Sequence, residues 1–223
     1  MGCSHSQGVV FKNSTTLTLW AGSAKGLNNP NSISQYHTIL INNIDNNNYK
    51  NIFFMFGGVD LDFCFYYKYL NNNQIDFREF NLKVITNYLE FIAKNFFNKS
   101  VIILSVGLPC LDDEQLKYGI LNGHVSQLEN KDQSIYEQKL LNTELPNIYK
   151  RTEMAMHFNE KLHEEIIKLN NPNIKFLDIT SFTYDCELKR IKDEFFTRLD
   201  HHSSARNGYY TKIIDDYLLE HSL

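Results

Sequence analysis

Four short runs rich in β-branched and aromatic residues, at 16–20, 51–56, 100–106 and 174–179, are each bounded by turn-forming residues and predict buried strands. Between and after them, apolar residues recur at helical spacing over 33–44, 77–97, 113–121, 148–169 and 205–219. Strands that alternate with helix-length connections predict a mainly parallel sheet covered by helices on both faces. In such a sheet the ligand site lies beyond the carboxyl ends of the strands. The Asn runs 46–48 and 71–73 read as loops, and the polar stretch 122–145 as an insertion or long loop. No internal repeat or linker divides the chain, so residues 1–223 are expected to form one domain.

Composition narrows the function classes. A net charge of -4 provides no clustered basic face for phosphates, so nucleic acid is not an expected partner. Cys3, Cys64, Cys110 and Cys186 are widely spaced and form no CxxC pair, which fits reduced thiols rather than a zinc knuckle or a disulfide framework. The chain shows neither a membrane-length apolar stretch nor a signal-peptide pattern, so it reads as soluble and cytoplasmic. No cofactor is expected.

The candidate chemistry sits at the two ends. The chain opens Gly2-Cys3-Ser4-His5-Ser6 and closes with Asp200-His201-His202-Ser203-Ser204 ahead of its last helical stretch. A serine hydroxyl becomes a nucleophile at neutral pH when an imidazole takes its proton, and a carboxylate holds that imidazole in the right tautomer. Ser4, His202 and Asp200 supply these three parts, with His201 as an alternative base. Asp178, at the end of the fourth predicted strand, is a rival orienting acid, although a loop or capping role suits it better.

These blocks resemble those of the SGNH (GDSL-like) hydrolases. Gly-Cys-Ser-His-Ser is similar to the family's opening Gly-Asp-Ser block, and Asp200-x-His202 to its closing one. Gly22, following the first predicted strand, matches the second-block glycine, whose N–H faces an oxyanion. Phe56-Gly57-Gly58-Val59-Asp60 resembles the third block, Gly-x-Asn-Asp. The resemblance implies a three-layer α/β/α sandwich of flavodoxin-like type and a serine esterase or O-acyltransferase. Its substrate would be an acyl ester, such as an acetyl ester, of a small molecule or glycan. Ser4, Asp200 and His202 would be catalytic, and Gly22, Gly57 and Asp60 would line the oxyanion and substrate site.

Three departures accompany the resemblance. Cys3 stands where the family has Asp, and Val59 where it has its oxyanion-donating Asn. Only Met1 to Cys3 precede Ser4, so the family's central first strand is expected to be missing or nearly so. Its absence would leave two strand edges unpaired and weaken the fold. A non-catalytic member of the same fold, binding a glycan or partner in the cleft, is therefore a second expectation.

Other motifs point elsewhere. Gly2-x-x-x-Ser6 matches a myristoylation pattern with Cys3 available for palmitoylation, and membrane association would follow only from such lipidation. Adjacent His201 and His202 offer no HExxH-like spacing, so no metal is expected. The glycines at 22 and 26 lack phosphate-loop spacing. The 148–169 stretch, with Arg151, Phe158 and Asn159, reads as a helix whose Phe158 and Leu162 pack in the core.

Overall fold

The computed structural model describes residues 1–3, 6, 9–11, 13–72, 75–119, 138–140, 143–197 and 208–221. Its sheet is built on three parallel strands, β1 (Ile52–Phe54), β2 (Val101–Leu104) and β3 (Ile174–Leu177), in that spatial order. Ile52 pairs with Val101, and Val101 with Ile174, so the three strands start in register. β1 and β2 are buried throughout, as runs of Ile, Val, Leu and Phe require when both faces of a sheet are covered.

The central first strand is reduced to Met1–Cys3, as its short sequence leads one to expect, but it does not leave two edges unpaired. Gly2 bridges in parallel to both Thr18 and Met55. On the β1 side, the Met1 α-amino group donates to Phe53 O (2.6 Å), Met55 N to Met1 O (3.0 Å) and Cys3 N to Met55 O (3.0 Å). On the other side, Gly2 N donates to Leu17 O (3.1 Å) and Leu19 N to Gly2 O (2.8 Å). Three residues thus pair in both directions, and no central edge is left open. Numbering these segments along the chain gives the spatial order 2-1-3-4-5, whose switch point falls between Met1–Cys3 and β1.

Helices cover both faces. Successive strand side chains point to opposite sides. Phe53 meets Phe11 edge-on on one face, while Phe54 packs on Phe96 on the other. Phe96 ends α3 (Phe77–Phe96), which is capped by Asp76 accepting from Arg78 N and buries Phe77, Phe80, Val84, Tyr88 and Phe91 at spacings of three and four. Asn81 of α3 donates to Met154 O (3.0 Å) of α5 (Ile148–Leu169), so these two helices form one layer. α6 (Tyr209–Glu220) lies on the other side, where Ile214 faces a cavity shared with Phe53 and Leu104. The result is a three-layer α/β/α fold.

The remaining helices are α1 (Tyr36–Asp45), α2 (Phe65–Asn72) and α4 (Asp113–Gly119). α2 follows a π turn, Asp60–Cys64, and neither element was expected from the pattern. A small hairpin, β4 (Tyr184–Asp185) with β5 (Arg190–Ile191), was likewise not expected. Asn46–Asn48 lie outside helices and strands as predicted, whereas Asn71 and Asn72 end α2. Most of the predicted 122–145 insertion lies outside the described residues. Among the described residues no helix is long and apolar enough to cross a membrane.

Candidate active site at the carboxyl edge of the sheet

Ser4, Asp200, His201 and His202 lie outside the described residues. The nearest described residues, Cys3 and Ser6 around the first block and Thr197 and Gly208 around the second, lie by the carboxyl edge of the sheet. Cys3 closes the central strand and is 1% exposed. Its carbonyl accepts from both Ser6 N (2.9 Å) and Ser6 Oγ (2.8 Å), so the chain turns back sharply at the strand's end. A Cβ on Gly2 would lie 2.5 Å from Met55 O and 2.8 Å from Ser6 Cβ, so this close approach requires glycine.

The flanks of 198–207 both return to the loop that follows β2. Thr197 N donates to Cys110 O (2.9 Å), and Tyr210, in the first turn of α6, sets its hydroxyl 3.0 Å from where a Gly107 Cβ would stand. Thr211 Oγ1 also donates to Val10 O (3.2 Å), which joins α6 to the segment after the central strand. The chain's two candidate blocks therefore leave from and return to neighbouring positions. They are separated in the sheet by β1 alone, which corresponds to about 10 Å between the ends of the outer two strands.

The loop after β1 forms the floor between them. Gly57 has φ of +113°, and a Cβ there would fall 2.6 Å from Val106 Cγ1 and 3.0 Å from the Phe158 ring, so both conformation and packing demand glycine. Gly58 follows, and Val59 is buried at 6% exposure, leading into the π turn. π turns recur at functional sites, where they re-aim side chains. A crevice of about 10 Å³, room for about one water, lies among Gly58, Gly107, Pro109, Arg151 and Met154.

Asp60 and Gly22 are tied into the scaffold. Asp60 is fully buried; its Oδ2 accepts from Ala24 N (2.6 Å) and its Oδ1 lies 3.4 Å from Lys25 N, at the start of the 3-10 turn Lys25–Asn28. Burial pushes its carboxyl up to about 7, although those amides and the Lys25 charge favour the anion. Asp60 thereby staples the loop containing Gly22 to the loop containing Gly57. The Gly22 N–H, expected to face an oxyanion, donates to Leu19 O (3.0 Å) within a turn that also places Ala21 at φ of +54°.

Three polar side chains hold the neighbouring loops. Asn159 clamps Val106 from both sides: its Oδ1 accepts from Val106 N (2.8 Å) and its Nδ2 donates to Val106 O (3.0 Å). Arg151, 4% exposed, donates to Pro146 O, Leu111 O and Asp113 Oδ1. Asp178 Oδ1 accepts from Ser105 Oγ and from the amide and hydroxyl of Thr180, which is a loop-holding arrangement. Among the described residues no group of three His, Cys, Asp or Glu side chains could hold a metal ion. The sequence reading missed the Asn159 clamp and the Arg151 anchor, because helical periodicity marks the face of a residue and not its partner on a distant loop.

Fold and site together define a doubly wound α/β protein whose candidate site lies at the switch point of its sheet. Among solved structures the chain is similar to a Streptococcus pneumonia protein provisionally named a platelet activating factor, with a TM-score of 0.54 at 15% identity, covering 97% of this chain and 81% of that one. At that identity the likeness is one of fold. No protein-family model and no curated protein matches the chain.

Proposed function

We propose that the chain is an SGNH-type serine hydrolase acting on small acyl esters. The observation that carries this reading is the anchoring of both candidate blocks at one edge: Cys3 and Ser6 at the end of the central strand, Thr197 and Tyr210 on the loop after β2. Ser4 attacks the ester carbonyl and His202 takes its proton. His202 then returns that proton to the departing alcohol, leaving an acyl-serine that water hydrolyses by the reverse proton path. Asp200 orients His202. The fold is shared with the Streptococcus pneumonia protein, and the candidate site lies at the carboxyl edge of the sheet, where folds of this kind bind their ligands.

A fluorophosphonate probe tests this, since it reacts only with an activated serine. The chain is expected to label, and Ser4→Ala and His202→Ala each to abolish labelling. Undiminished labelling of Ser4→Ala would remove Ser4 as the nucleophile. A second reading, a non-catalytic binding protein of the same fold, is favoured by the Gly22 N–H bonded to Leu19 and by the buried apolar Val59 in the third block. A folded chain that never labels would establish that reading over the first.

A further inference from the structure

The described residues of the connection from the central strand to Thr18 form one wall of a cavity over one sheet face. A parallel crossover normally spans a dozen or more residues and carries a helix that covers the sheet. Here the described residues of the link, Ser6, Val9–Phe11 and Asn13–Leu17, carry no α-helix. In its place lies a cavity of about 350 Å³, bounded by the link, β1, the end of β2 and the face of α6. That volume falls within the range of small-molecule sites, about 300–1,000 Å³.

Its walls and its mouth differ in chemistry. The deep wall is made by Met1, Phe11, Phe53, Met55, Leu104 and Ile214. Of the polar side chains in the lining, five are bonded within the protein, Ser6 to Cys3 O, Ser14 to Phe11 O, Thr16 to Val9 O, Tyr49 to Asn43, and Asn51 to Ser100, while Asn13 and Thr15 are exposed at the opening. An apolar deep wall holds water poorly and suits the apolar part of a guest, while the polar opening suits a polar head group. At the mouth stands Lys50, exposed and without an ion pair among the described residues.

We propose that this cavity binds the single alkyl chain of a fatty-acid anion, with the carboxylate held at the mouth by Lys50. An alkyl chain fits the deep wall, and Lys50, without an ion pair among the described residues, favours an anionic head group over a neutral one. The site is separate from the proposed serine chemistry and does not rest on it.

The test is titration calorimetry of the full chain with decanoate and with decanol, using the Ser4→Ala protein so that hydrolysis plays no part. Decanoate is expected to bind saturably, one per chain and more tightly than decanol. Lys50→Glu, at an exposed position, should weaken decanoate about fivefold or more and leave decanol unchanged. Ile214→Trp should fill the cavity and abolish both; circular dichroism checks that it folds, and Lys50→Glu decides the matter if it does not. Absence of saturable decanoate binding, equal binding of decanol, or no effect of Lys50→Glu would each overturn the proposal.

Discussion

Asp60 is a carboxyl group without solvent, held by two backbone amides, and its protonation is coupled to stability. Its native pKa is raised to about 7, so over the range from about 4 to 7 the folded chain keeps a proton that the unfolded chain releases. Its contribution therefore favours the fold in acid, falls as pH rises through that range and levels off above it. The Met1 α-amino group, buried and pushed down to about 5, acts in the opposite sense, but it is common to wild type and variant. The difference in unfolding free energy between wild type and Asp60→Asn should shift against the wild type from pH 4 to 7. A difference independent of pH would refute the assignment. Sequence gave no access to this role: Asp60 reads as a site residue by its motif, and its partner Ala24 is 36 residues away.

Among elements, the long ones were legible and the short ones were not. The two longest helices match their predicted bounds within one residue because twenty or more residues carry the 3.6 period repeatedly. β1, β2 and β3 sit inside their predicted runs; in β1 and β2 apolar residues fit a sheet buried on both faces, whereas in β3 only Ile174 is buried. α2 escaped because its Phe-Tyr-Tyr-Lys-Tyr start is aromatic on more than one face, and both Phe65 and Tyr66 are fully buried. The central strand escaped because Met-Gly-Cys offers no alternation to read. Asn159 shows how one side chain on a legible helix secures an irregular loop, replacing ladder bonds at the end of β2. Asn159→Ala leaves a buried amide and carbonyl unpaired and should lower stability by about 3 kcal/mol. Urea unfolding measures this, and an unchanged midpoint would show that the clamp is dispensable.

The whole molecule depends on three residues at its centre. Met1–Cys3 pairs to both sides, and Gly2 has no room for a methyl group against Met55 O. Gly2→Ala should therefore destabilise the entire fold by about 2–3 kcal/mol in one cooperative transition, seen as a lower urea midpoint at constant slope. A midpoint like that of wild type would mean the strand yields locally. For a related reason, an acyl group on Cys3 would require this strand to leave the sheet, since Cys3 is buried.

Thr197 and Tyr210 meet the same short stretch, Gly107 to Cys110, which Asn159 steadies at its root. The two ends of the segment between them therefore share one mount. A displacement of that stretch carries both ends in the same direction, so positional errors at the two ends are correlated and largely cancel within the segment. What such a displacement changes is the spacing between this mount and the turn at Cys3. Along that single coordinate, mutations scattered over Asn159, Gly107 and Cys110 would share one signature.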